Sequence, residues 1–99
     1  MSDMKFYSIR RRNGWKNADE LDRAAAESSR VGNEEMSDKV RWIRSYVVDE
    51  GDGSIGTVCF YEATGPDAIR EHAERAGLPV HEIAEVGTTV VVRTDPQAA

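Results

Sequence analysis

Ninety-nine residues, 39% of them hydrophobic and 31% charged, are enough for one globular domain and too apolar for a disordered chain. The net charge of −5 argues against nucleic-acid binding, which needs a basic face, and no apolar run approaches the roughly 18 residues of a membrane span. One cysteine precludes an intramolecular disulfide, and MSDMKFYS carries no apolar signal core, so a cytoplasmic protein is expected.

Phe6, Tyr7 and Ile9 predict a first strand from Lys5 to Arg12, broken by Asn13-Gly14. The basic run Arg10-Arg11-Arg12 reads as a strand end meeting solvent. Asn17 stands three residues before Glu20 and predicts an N-cap for ADELDRAAAESSRV. Leu21, Ala24, Ala25, Ser28 and Val31 share one narrow face of mostly small residues, suited to close approach to a sheet. Gly32-Asn33 supplies the stop.

Val40 to Asp49 alternates with large apolar groups on both faces, and a hairpin through Glu50-Gly51-Asp52-Gly53-Ser54 joins it to a partner strand, Ile55 to Ala63. That strand puts Val58 and Phe60 on one face, Cys59 and Tyr61 on the other. Thr64-Gly65-Pro66-Asp67 opens a helix from Pro66 to Ala76, which stops at Gly77 with Pro79 beyond it. Ile83 to Arg93 completes the pattern as a last strand with a bulge at Gly87; residues 1–94 then form the domain and 95–99 a loose tail.

The order β-α-β-β-α-β predicts an α+β, ferredoxin-like sandwich: a four-stranded antiparallel sheet with both helices on one face. Apolar groups on both sides of the middle strands leave the other face exposed, so a homodimer pairing the two sheet faces is expected.

His72 lies three residues after Ile69 and four before Ala76, on the sheet side of its helix or at the edge of the apolar stripe. There it can be a metal ligand, a general base or a core histidine bonded to a carbonyl. His81 follows nine residues later across a Gly-Leu-Pro turn, a spacing that matches no common metal motif. Cys59 can be a soft ligand, a nucleophile or a small buried hydrophobe; no basic residue adjoins it. Trp42, Tyr46 and Tyr61 can line a pocket or an interface. Glu82 and Glu85 can bring oxygen ligands near a histidine, whereas Glu62 faces solvent or pairs. Phosphate loops, a GxSxG elbow and CxxC are missing, and Gly51-Asp52-Gly53 lacks the closing glutamate of a calcium loop.

Trp42, Ser45-Tyr46-Val47, Cys59, Tyr61 and Ala63 lead into Ile69-Arg70-Glu71-His72-Ala73 and Ala76-Gly77-Leu78-Pro79, then Ile83 and Glu85-Val86. This series resembles a family of small bacterial ferredoxin-like proteins of unknown function, one member of which is described as nickel-binding. The likeness runs from Lys5 to Val92 and is most specific in the Arg-Glu-His-Ala helix. It implies a βαββαβ fold, a homodimer and divalent-metal binding without an established reaction. His72, Cys59, Tyr46 and Tyr61 match the family pattern. Many relatives carry a histidine before the Ser-Tyr pair, where this chain has Arg44, and they favour an acid in the first strand, where it has Ile9-Arg10-Arg11. A guanidinium in place of an imidazole removes a ligand and adds a repelling charge.

Three function classes follow. The first is a homodimer that binds a small ligand or a divalent transition metal such as nickel through His72, with Cys59, His81 or Glu85, and no organic cofactor. The second is a cofactor-free dimeric α+β barrel enzyme for a small organic substrate. Trp42, Tyr46 and Tyr61 would line its cavity, Arg44 would fix an anionic oxygen and His72 would move protons. The third is a structural or regulatory dimer without ligand. Binding is preferred over turnover.

Overall fold

Period-two alternation builds the first strand, β1 (Lys5–Trp15), in the computed structural model, which describes residues 3–96. Tyr7, Ile9 and Arg11 point inward, while Phe6, Ser8 and Arg10 point to the other face. Asn13, with φ of 50°, does not end the strand; the backbone shifts register between Arg11 and Trp15 and pairing resumes at Ile55. That irregularity turns Trp15 inward, where it is buried.

Helix α1 (Ala18–Arg30) begins as its sequence implies: the Asn17 side chain accepts from the Glu20 amide at 2.9 Å. Its end differs from expectation. Gly32-Asn33 does not stop it, and the backbone widens into a π turn over Val31–Glu35 closed by the Met36 amide on the Val31 carbonyl. The wider turn brings Val31 and Met36 together into the core, a gain in burial that a glycine stop would forfeit.

β2 (Val40–Asp49) and β3 (Ile55–Ala63) form the hairpin, and α2 (Pro66–Ala76) ends on Gly77, whose φ of 72° is the left-handed cap that glycine adopts freely. Strand β4 spans only Glu82–Glu85, shorter than the expected Ile83 to Arg93. Its antiparallel partner is β1, with Tyr7 opposite Glu85 and one further bond from the Val86 amide to the Phe6 carbonyl. Residues 87–96 then leave the sheet and cross its open face, where Asp95 meets Arg44 and Tyr46. Of the expected tail, Gln97 to Ala99 lie outside the described residues.

The sheet order is β2-β3-β1-β4, antiparallel throughout. This is the ferredoxin-like α+β arrangement, with both helices packed on one face. Tyr7, Ile9, Cys59, Tyr61 and Ala63 of the sheet meet Val31, Met36 and Ile69 of the helical layer. On the opposite face Phe6 stacks on Phe60 at 5.8 Å and Tyr46 meets Phe60 edge-on. No described helix is long and apolar enough to cross a membrane.

Candidate functional site

One irregularity in β2 decides which side chains share a site. Trp42 pairs with Tyr61 but Arg44 pairs with Phe60, so Ile43 is an extra residue. The bulge keeps Trp42 on the helix side and then restores Ser45 and Val47 to it, while Arg44 and Tyr46 move toward the open face. The four residues expected to line one pocket are thereby divided. Trp42 and Tyr61 remain together with rings 6.2 Å apart, Tyr46 bonds Asp95 across the sheet, and Arg44 borders both sides.

Between the first turns of α1 and the β2–β3 side of the sheet lies a cavity of about 410 Å³. It exists because α1 offers Ala24 and Ala25 where longer side chains would fill the space. Its apolar wall includes Trp15, Leu21, Trp42, Val47 and Leu78, and its polar groups come from Ser28, Ser45, Thr57 and Tyr61. Volume and lining fall in the range of small-molecule sites.

Arg11 is one of the residues that line this cavity and is only 1% exposed. The expectation that Arg10-Arg11-Arg12 frays into solvent fails here. Arg10 pairs with Glu50 at 2.7 Å and Arg12 with Glu82, while alternation carries Arg11 inward beside Tyr7 and Ile9. One guanidinium nitrogen, Nη1, donates to the Pro79 carbonyl at 2.7 Å. Its Nη2 is buried with no hydrogen-bond partner among the described residues. The guanidinium carbon stands 5.9 Å from the centre of the Tyr61 ring, a cation–π contact. Burying a charge without a counter-ion costs several kcal/mol, on the order of 3–5 where a partner has been removed, so such a group calls for a reason.

Behind the cavity runs a short polar chain. Ser28 Oγ and Tyr61 Oη are 3.0 Å apart, and His72 Nε2 lies 3.0 Å from the Ser28 carbonyl. A carbonyl only accepts, so Nε2 carries the imidazole proton and Nδ1 is a bare lone pair, buried and unpartnered among the described residues. Burial holds the His72 pKa below the usual histidine value, and the Arg11 charge acts in the same direction against the Ser28 carbonyl. Burial likewise raises the Tyr61 phenol, opposed by its Ser28 bond and the Arg11 charge. Both groups stay neutral near pH 7. His72 is not in the cavity wall and reaches it only through Ser28 and Tyr61.

The other sequence-singled residues disperse. The Cys59 thiol is buried in the wall and donates to Thr57 Oγ1 at 3.2 Å. His81 is exposed and its Nδ1 accepts from the Arg12 amide, while Glu85 lies 4.0 Å from Lys5 on the surface. Glu62 pairs with Arg41 on the open face. Arg11, Trp15, Ser28, Ser45 and Thr57 are the site residues that sequence reasoning passed over. Alternation from Ile9 was the available signal for Arg11.

The family model for nickel responsive proteins, SCO4226-like, matches residues 7–86. The chain belongs to that family. No curated protein and no solved structure matches it. Membership in the SCO4226-like family raises nickel, and the donor set can be tested for it. Among the described residues no three His, Cys, Asp or Glu side chains gather to hold a metal ion. His72 offers a lone pair only at Nδ1, which is buried, and the nearby Arg11 charge repels a cation. The side chains of a single chain do not fit nickel at this site.

Proposed function

We propose that this SCO4226-like protein is a homodimeric ligand-binding protein whose site is the cavity between α1 and the β2–β3 hairpin. The observation that carries the reading is the cavity itself. About 410 Å³ is kept open by Ala24 and Ala25, walled by two tryptophans, and backed by the ordered Ser28–Tyr61–His72 chain. A protein that needed only a core would gain by filling it, since lost packing contacts cost stability. Binding is favoured over turnover because neutral His72 stands behind the wall and Cys59 is engaged with Thr57.

The dimer is formed by two open sheet faces. Phe6, Tyr46 and Phe60 supply its aromatic patch, and Val90, Val91 and Val92, 75% or more exposed, supply apolar edges from the crossing segment. Sedimentation should give about twice the 11.0 kDa chain mass at micromolar concentration; a single-chain mass contradicts the dimer.

Calorimetric titration with a neutral aromatic probe, 2-naphthamide, tests the site. Wild type should bind one molecule per chain, and Ala25→Leu, which places a side chain into the cavity, should abolish binding. Unchanged affinity in Ala25→Leu moves the ligand elsewhere.

A further inference from the structure

We infer that the cavity takes a small organic carboxylate, anchored by Arg11, with its apolar body against Trp15 and Trp42. The inference rests on the cavity being the ligand site and adds the charge of the ligand. Three observations carry it. Arg11 is 1% exposed and forms no ion pair with any described carboxylate. Its Nη1 is committed to the Pro79 carbonyl, which fixes the guanidinium and leaves Nη2 with two N–H donors and no acceptor. Arg11 is also one of the residues that line the cavity, beside Tyr61, Ser28 and Thr57, whose hydroxyls are further donors.

The remaining charges bordering the cavity are Asp22 and Arg44, both exposed, so neither supplies a buried counter-ion to Arg11. A carboxylate does. It accepts charge-assisted hydrogen bonds from Nη2, and its single negative charge matches the one buried cation. A phosphate dianion would bring more charge than the wall can compensate. The apolar remainder of the lining, including Leu21, Val47 and Leu78, asks for a ring or branched chain on the other end of the ligand. Evolution has thus left a buried charge unpaired in the protein and paired it in the complex.

The experiment compares 2-naphthoate with its neutral isostere 2-naphthamide by calorimetry, on wild type and Arg11→Met. A hydrogen-bonded charge in a desolvated wall should make naphthoate bind about 10- to 100-fold tighter than the amide in wild type. Arg11→Met should bind the two alike. Equal binding of both probes by wild type overturns the carboxylate assignment and leaves the cavity as a neutral-ligand site. Binding of neither overturns the cavity reading together with it. A naphthoate preference that persists in folded Arg11→Met also overturns the assignment, because the anion then pairs elsewhere. Should Arg11→Met not fold, the Arg11 Nε–H resonance of wild type decides. It should shift with naphthoate and not with the amide, and an unmoved resonance counts against Arg11.

Discussion

The helical layer meets the sheet in two unlike ways. Around α2 and the π turn, Val31, Met36, Val40, Ala63, Ile69 and Ala73 are each 3% exposed or less. Around the start of α1, the same sheet face meets Ala24 and Ala25 and leaves a cavity with an unpaired cation in its wall. One half is optimised for density, the other is held open. The contrast teaches that a single sheet face can serve as core and as site, with side-chain length on the covering helix making the difference.

The largest effect should come from the dense half. Ile69→Ala should cost about 2–5 kcal/mol in denaturant unfolding, since it deletes buried methylenes where neighbours cannot collapse. Ala25→Leu, pointing into open space, should change stability by less than about 1.5 kcal/mol while removing ligand binding. Equal losses at the two positions break the comparison.

Next comes the polar chain that separates the halves. Tyr61→Phe removes the partner of Ser28 Oγ and should cost about 1 kcal/mol, read by the same unfolding titration. A neutral result would mean that Ser28 is satisfied without Tyr61.

A smaller effect follows from His72. Its folded pKa lies below the unfolded value of 6.5, so the unfolded chain takes up the proton first as pH falls. The stability that neutral His72 contributes is complete above that unfolded value and is lost progressively as pH drops from there toward the folded pKa. Unfolding free energies measured across this window should decline in wild type, and His72→Gln should remove that part of the decline.

The smallest expected effect is on metal affinity. Ni²⁺ titrated into wild type and His72→Ala should give indistinguishable heats, because Nε2 is engaged with the Ser28 carbonyl and the buried Nδ1 has no cluster of further ligands around it among the described residues. A clear loss in His72→Ala would restore the histidine as a ligand.

Much of this architecture was legible in the residues. The Asn17 cap, the Gly51–Gly53 hairpin and the Pro66-to-Gly77 helix are local devices, written in short stretches of sequence and found where expected. What escaped depends on longer-range pairing. Strand β4 ends at Glu85 and the β-prone TTVVV run crosses the open face instead, an outcome that the run cannot express by itself. The bulge at Ile43 depends on the register of β3, and it alone divides Trp42 from Tyr46. Arg11 was readable from alternation yet overridden by the ordinary expectation that three arginines face water. His72 was placed correctly on the buried side, but only the Ser28 carbonyl reveals which nitrogen holds the proton.

The most direct test follows the two tryptophan indole N–H resonances during titration with 2-naphthoate. Trp15 and Trp42 both line the cavity, and the chain has no other tryptophan. A ligand lodged between α1 and the β2–β3 hairpin should shift both indoles saturably, with the same midpoint. Saturable shifts confined to Phe6, Tyr46 and Phe60 on the open face, with both indoles unmoved, would contradict it.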